Sequence, residues 1–183
     1  MSNLTGTNEP EQIRGEIVGA SYFPLLGIKP VAGRSFLPEE DVTPEKDMVA
    51  MISHSLWERR YGADQAAIGK TISLDLRGYT IVGVVPNGFQ GLSGPADVWL
   101  AAHVLKGPDD LEQRGSHSWE MIARLKSGVS VDQAKSAVPL LGPRIEEANP
   151  MRNLKGWGAK ARTLSEAAST RRSANPCWCC SAR

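Results

Sequence analysis

Histidine and serine residues could supply a nucleophile, a base or a metal ligand, but their spacing in this chain does not favour such chemistry. The three histidines, His54, His103 and His117, lie far apart, and no two have the i, i+4 spacing that places two imidazoles on one helical face. Two of them lie between serines, yet adjacent side chains seldom point at each other, and no nucleophile-elbow pattern surrounds them. We therefore predict capping and surface hydrogen bonding for the flanking serines: Ser53, Ser55, Ser116 and Ser118.

Acidic and glycine-rich stretches could hold calcium or phosphate, but each lacks part of the required pattern. Glu39, Glu40 and Asp41 are consecutive and lack the spaced ligands and glycine of a calcium loop, so they predict a solvated loop near a short helix start. The glycine-rich residues 88–94 have neither the G-x-G-x-x-G spacing nor the Lys-Ser/Thr pair of a P-loop. Phosphate binding is therefore not predicted.

Carboxylate pairs and thiol clusters also fail to complete a site. Glu146 and Glu147 are helix-surface neighbours that diverge by about 100 degrees. The cysteines lie together near the end, with no histidine in the same segment to complete a metal site: Cys177, Cys179 and Cys180. The sequence predicts a protein that is not an enzyme and that has no metal site and no cofactor.

Composition indicates a folded chain that does not bind nucleic acid. Its 183 residues are 41% hydrophobic and 22% charged, and 21 basic residues balance 20 acidic ones. No run approaches the ~18 apolar residues that span a bilayer, and residues 1–12 lack the features of a secretory signal. We expect the isolated chain to be soluble, with no signal peptide.

Strands and short helices are predicted from about Ile13 onward. Residues 16–20 and 48–52 read as strands, and residues 53–61 as a helix capped by Ser53 and ended by Gly62. A hairpin is predicted from two β-branched runs, 71–76 and 79–85, with its turn at Arg77-Gly78. Two further strands are predicted over residues 98–101 and 119–125.

The last predicted helix begins at a capping box and contains two prolines. Ser130 and Gln133 have the spacing that satisfies two orphan backbone donors, and a helical apolar period continues to Ala148. Pro139 and Pro143 each remove a helical hydrogen bond, so this helix is expected to kink or end early.

Four stretches in order carry a family resemblance: IVGASYFPLLGIKPVAGRSF, VAMISHSLWERRYGADQAAIGKTISLDLRGYTIVGVVPNGFQGL, ADVWL and ARLKSGVSVDQAKS. Together they resemble the MacB-like periplasmic core domain of bacterial ABC-transporter permeases, over roughly residues 13–150. The resemblance implies an α+β fold, with a porter-like βαβ subdomain and a small, mostly antiparallel β subdomain inserted into it. Residues 13–65 and 115–163 would form the porter-like part and residues 66–114 the inserted part, between a frayed segment 1–12 and a disordered tail 164–183. Three tryptophans are expected in the core or at the junction: Trp57, Trp99 and Trp119.

The resemblance also implies function and partners. The chain would be a non-catalytic part of the extracytoplasmic domain of a permease in the bacterial inner membrane, coupling ATP-driven motion to export from the periplasmic side. Its partners would be the transmembrane part of the permease, an ATP-binding subunit or domain, a homodimer mate and a periplasmic adaptor protein. The alternatives are an FtsX-like domain acting on a cell-wall hydrolase and a free-standing small-molecule binding module.

The final segment departs from the rest of the chain in composition. After Ala168 it contains arginines and all the cysteines but no acids. Cys-Trp-Cys-Cys-Ser, when encoded with a TCN serine, reads as an apolar run in the frame one nucleotide earlier. We therefore expect a frameshifted approach to a membrane helix, the alternative being a genuine basic tail, and the gene sequence beyond the stop codon distinguishes them.

Overall fold

The computed structural model describes residues 2–5, 11–43, 46–102, 120–148 and 158–167 of the chain. The chain divides into two units, Met1–Ile122 and Ala123–Arg183. The first unit contains all the strands of the described residues: β1 (Ser2–Thr5), β2 (Glu11–Ile13), β3 (Gly15–Val18), β4 (Ala32–Gly33), β5 (Val49–Ile52), β6 (Thr71–Leu74), β7 (Arg77–Val84) and β8 (Val98–Ala101). Its helices are α1 (Tyr22–Leu26) and α2 (His54–Tyr61), with 3₁₀ turns at Pro38–Asp41 and Gln65–Ala67.

These strands form one mixed sheet in the order β2-β1-β6-β7-β5-β8-β3, with β4 paired to β7. The β3–β8 and β5–β7 pairs are parallel, and the others are antiparallel. Residues of β5 and β8 are all buried, as expected for apolar runs at the centre of a sheet. The predicted α+β class is confirmed.

Each face of the sheet has its own hydrophobic core. Ala50 and Ile52 point into a core that includes Leu56 and Trp57 of α2. The alternate residues of β5 point into a second core with Tyr22 and Phe23 of α1, because successive side chains of a strand face opposite sides. We call these the α2-side core and the α1-side core.

Helix α2 begins and ends as its sequence predicts, and both α1 and α2 end at a glycine. The Ser53 hydroxyl accepts a hydrogen bond from Leu56 N at 3.1 Å and caps α2, which ends at Gly62 with φ 61°. Helix α1 is only five residues long and ends at Gly27 with φ 73°. Both glycines occupy the left-handed conformation that terminates a helix without a Cβ penalty.

The hairpin of β6 and β7 is confirmed, but the predicted position of its turn is wrong. Leu74 pairs with Arg77, so the turn consists of Asp75 and Leu76, with φ of 47° and 67°. Pairing along the strands overrides the local preference for glycine in such a turn. In this register the buried Ile72 lies opposite the buried Tyr79, and the pairing continues to hydrogen bonds of residues 69 and 70 with Ile81.

Residues 120–125 form no strand, so the prediction of a strand over 119–125 is wrong for the described part of that segment. The β-type composition is a local signal, whereas a strand forms only with backbone partners. Met121 is 92% exposed, while Ile122 packs against the α1-side core.

In the described part of the second unit, the short helices α3 (Val131–Ala137) and α4 (Leu141–Ala148) are joined by a 3₁₀ turn at Val138–Leu140. Ser130 and Gln133 form the predicted capping box, with bonds of 3.1 and 2.8 Å. The interruption occurs at Pro139, as predicted, whereas Pro143 lies in the first turn of α4, where its missing N–H costs little.

A capped helical turn covers residues 164–167, and Glu166 of this turn forms an ion pair with Lys135 at 2.6 Å. The rest of the predicted tail, including the frameshift hypothesis, lies outside the described residues. The division into a porter-like part and an inserted part stays a prediction. In the described residues, no helix is long and apolar enough to cross a membrane.

Candidate functional site

The carboxylate of Glu16, in β3, accepts four hydrogen bonds. Oε1 accepts hydrogen bonds from Ser93 N at 2.9 Å and Ser93 Oγ at 2.7 Å. Oε2 accepts from Trp99 Nε1 at 2.7 Å and from the Tyr22 hydroxyl at 3.1 Å. A carboxylate offers about four acceptor positions, so this one is saturated. We call Glu16, Tyr22, Ser93 and Trp99 the Glu16 cluster.

Three elements and one loop position this cluster. Glu16 and Trp99 are register partners in the β3–β8 pair, and Tyr22 begins α1. The loop of residues 86–96 contributes Ser93, and its Leu92 N donates to the Tyr22 hydroxyl at 2.9 Å. A Cβ at Gly91 would lie 2.3 Å from Glu16 Oε2, so a side chain there would displace the carboxylate.

Aromatic rings surround the cluster. The Phe89 ring of the loop lies 5.6 Å from Trp99, 6.0 Å from Phe23 and 6.4 Å from Tyr22, between ring centroids. Trp99 and Phe23 are fully buried, and Phe89 packs against the core that contains them. The buried indole N–H of Trp99 requires an acceptor, which Glu16 supplies.

The acidic triplet is not a solvated loop, so that prediction is wrong for two of its three residues. Glu40 is buried and accepts hydrogen bonds from Arg34 Nη1 and from Leu37 N, both at 2.8 Å. Asp41 Oδ2 accepts from Ala20 N at 2.8 Å. Glu40 therefore holds the segment between β4 and β5 together, and Asp41 attaches that segment to the residues after β3.

The guanidinium of Arg34 determines the ionisation of Glu40. Its hydrogen bond lowers the pKa of the Glu40 carboxyl, and the Leu37 N–H contributes in the same direction, against the effect of burial. The pKa of Arg34 is raised by the same hydrogen bond. Glu40 is therefore held as a carboxylate, which cannot donate a proton at neutral pH.

Of the candidate residues from the sequence, Ser53, His54 and Ser55 lie at the start of helix α2. Ser53 caps α2 and shares a hydrogen bond with the Ser55 hydroxyl at 3.1 Å. His54 Nδ1 lies 3.4 Å from Glu58 Oε2 without forming a hydrogen bond, and its ring meets Trp57 edge-on at 5.4 Å. Of the predicted core tryptophans, Trp57 and Trp99 are buried as predicted.

The remaining candidates lie outside the described residues: His103, His117, Ser116, Ser118, Trp119, Cys177, Cys179 and Cys180. Among the residues that are described, no group of three or more His, Cys, Asp or Glu side chains could hold a metal ion. The glycine-rich residues 88–94, considered for phosphate, instead form the part of the loop that contacts the Glu16 cluster.

Sequence analysis misses Glu16 as a central residue. The signal was one acid in an otherwise apolar strand, followed six residues later by Tyr22. Alternation in a strand places Glu16 on the face opposite Ile17, but only the pairing of β3 with β8 brings it to Trp99 and Ser93, which are far away in sequence.

The fold is an α+β domain built on one mixed sheet, in which the carboxylate of Glu16 holds α1 and a loop to the edge of the sheet. The family model of the MacB-like periplasmic core domain matches residues 1–140. The chain belongs to this family, whose members are periplasmic domains of ABC-transporter permeases.

Solved structures show the same fold at low identity. The periplasmic region of MacB from Actinobacillus actinomycetemcomitans is 14% identical with a TM-score of 0.61, covering 95% of this chain and 72% of that chain. The extracellular domain of the noncanonic ABC-type transporter YknZ from Gram-positive bacteria is 14% identical with a TM-score of 0.54, covering 84% and 73%. No curated protein matches the chain.

Proposed function

We propose that this chain is a non-catalytic part of the extracytoplasmic domain of an ABC-transporter permease, and that it couples ATP-driven motion of the membrane helices to export of a substrate. The observation that carries the proposal is the family match over residues 1–140. In this proposal the parent permease lies in the bacterial inner membrane, with this domain on the periplasmic side. It works with an ATP-binding subunit or domain, a homodimer mate and a periplasmic adaptor protein.

The hydrogen bonds that the acidic side chains accept support a mechanical role for this domain. Glu16 and Asp41 accept hydrogen bonds that fasten separate segments of the first unit to one another, and Glu40 ties Arg34 and Leu37 together within one segment. Polar networks of this kind make a domain rigid when every member is satisfied. A rigid body passes on a displacement applied at one point, whereas a loose one absorbs it.

The non-catalytic part of the proposal is tested with the purified chain. ATP hydrolysis should stay at the background of a mock purification, because neither a P-loop nor an equivalent phosphate-binding pattern occurs in the sequence. Turnover that copurifies with the chain and changes on substitution of its residues would contradict the proposal.

Coupling is tested in the parent permease, reconstituted with its ATPase in lipid nanodiscs. Leu76 lies at the hairpin turn and is 89% exposed, so a spin label on Leu76→Cys, in a background without other reactive cysteines, would disturb little packing. We expect the distance between labels on the two copies to change with ATP. An ATPase variant unable to hydrolyse ATP is the control for turnover. An unchanged distance in all nucleotide states would refute coupling through this domain.

A further inference from the structure

The loop of residues 86–96 covers part of the α1-side core. Phe89 and Leu92 of this loop are partly buried against the fully buried Phe23 and Trp99. Lifting the loop would therefore expose aromatic surface that the folded chain keeps from water. We call residues 86–96 the cover loop.

The hydrogen bonds that attach the cover loop to the rest of the first unit lead to one side chain, that of Glu16. Within the described residues, the hydrogen bonds that join it to other parts of the first unit end on Glu16 or on Tyr22, which itself donates to Glu16. The two other backbone hydrogen bonds of the loop are internal, from Phe89 N to Pro86 O and from Ala96 N to Gln90 O. The loop is thus a small unit with its own bonds and a single polar fastening.

The backbone of the cover loop is suited to moving as a unit. Gly88 and Gly94 have φ of 84° and 126°, and a Cβ at either position would meet no atom within 4 Å. They lie on either side of the residues that touch the cluster. Glycine at such positions has access to more backbone conformations than other residues, so both can act as hinges.

Glu16 lies on a strand that has one neighbour in the sheet. Strand β3 ends the strand order and pairs only with β8 in the described residues. A shift of β3 by one residue would turn Glu16 to the opposite face of the sheet. Such a shift would remove the acceptor from Ser93 and Trp99 together.

We propose that the cover loop opens independently of the sheet, and that Glu16 is the latch that keeps it closed and makes its closure depend on the position of edge strand β3. The latch acts through acceptor geometry, since Ser93 N and Trp99 Nε1, which face the two oxygens of the carboxylate, can only donate. An amide at position 16 would direct its NH₂ toward either Ser93 or Trp99, where two donors would oppose each other.

The test is hydrogen exchange by NMR on the full chain, comparing the wild type with Glu16→Gln. We expect the amides of Leu92 and Ser93 and the Trp99 indole N–H to exchange about tenfold faster in the variant, corresponding to the loss of roughly one hydrogen bond. Amides of β5 should change much less. Glu39→Gln, at an exposed acid of the same unit, is the charge-matched control and should exchange like the wild type.

A second variant tests whether the Glu16 cluster holds the cover loop in particular or only stabilises the fold as a whole. Tyr22→Phe keeps the ring but removes the hydroxyl that accepts from Leu92 N. It should accelerate exchange at Leu92 more than at Ser93, which stays bonded to Glu16. The proposal is overturned if both variants leave the cover loop as protected as the wild type. It is equally overturned if exchange in the loop and in β5 accelerates by the same factor, because opening would then be global.

Discussion

Glu40 is a buried acid whose negative charge contributes to the stability of the fold. One of its oxygens accepts from both Arg34 Nη1 and Leu37 N. The other accepts from Arg34 Nη2, so the pair is bidentate, a geometry that makes charge-assisted hydrogen bonds strong. Arg34 is 45% exposed whereas Glu40 is buried, so loss of the guanidinium would remove two of the three hydrogen bonds of a buried carboxylate.

Stability should depend on the charge of Glu40. Its pKa in the folded state is below the ordinary value of 4.5, so the pairing is fully present above that pH and is lost as pH falls through the folded pKa. At pH 7 we expect Glu40→Gln to lower the free energy of unfolding by about 1–3 kcal/mol. The difference between variant and wild type should narrow below pH 4.5.

Urea unfolding at several pH values measures this effect, with Glu39→Gln as the neighbouring control. Glu39 is exposed, so the control should stay within about 0.5 kcal/mol of the wild type. If the free energies of unfolding of Glu40→Gln and the wild type differed by a constant amount from pH 7 to pH 3, the charge of Glu40 would contribute nothing to stability.

Local sequence patterns predict which residues cap the helices, but they do not predict which groups the acidic side chains bind. Ser53, Ser130 and Gln133 act within three residues of themselves, so their spacing in the sequence is enough to identify them. Glu16 and Asp41 bond to groups that are distant in sequence, and nothing in their neighbours indicates those partners. The same separation explains why the central carboxylate of the candidate site is visible only in the fold.

At the scale of elements, β4 and β7 are paired through two glycines. Gly33 lies opposite Gly83, and a Cβ at Gly83 would lie 2.2 Å from the carbonyl oxygen of Arg34. The pairing of β5 with β7 shifts register beside Gly83, between Ala50 and Met51. Glycine in a strand commonly marks such a close backbone approach or a bulge.

The substitution Gly83→Ala should therefore strain the centre of the sheet. The added methyl would meet backbone, which cannot move aside as a flexible side chain can, so the free energy of unfolding should fall by about 1–3 kcal/mol or more. Gly15→Ala is the matched control, since its Cβ would lie 3.4 Å from Val98 Cγ1, an ordinary contact. Thermal and urea unfolding compare the two variants, and equal losses would contradict the steric explanation.

The positions of strands along the chain can be predicted from composition more reliably than the pairing between strands. The apolar runs of β5 and β8 and the β-branched runs of β6 and β7 were all predicted from sequence. The hairpin turn was misplaced because Arg77-Gly78 has better turn chemistry than Asp75-Leu76. The pairing of β7 with several strands outweighs that preference, and pairing with distant strands leaves no local signal.

At the scale of the whole molecule, both hydrophobic cores lie in the first unit, Met1–Ile122. Few of the described residues of the second unit are buried, and several of its large apolar side chains are about half exposed: Val131, Leu140, Leu141, Ile145 and Leu164. Burial of apolar surface is the main stabilising contribution to a fold, so the two units differ in their independent stability.

A fragment of residues 1–122 should fold without the rest of the chain. We expect a single cooperative thermal transition with near-ultraviolet circular dichroism of packed aromatic side chains, because the fragment retains both cores. The complementary fragment, residues 123–183, should show no such transition. Loss of cooperative unfolding in the 1–122 fragment would show that its cores depend on the second unit.

The strand order has a consequence for how the protein folds while it is being synthesised. Strand β3 leaves the ribosome well before its partner in the sheet, β8, at Val98–Ala101. Strand β1 can pair with the neighbouring β2 early, and it gains its second partner, β6, later. Contacts between residues so distant in sequence slow folding, because the intervening chain must close into a loop before any pairing is gained. The nascent chain therefore carries β3 without a partner, and β5 with one edge unpaired, until β8 emerges, and a chaperone could bind the exposed strands during that interval.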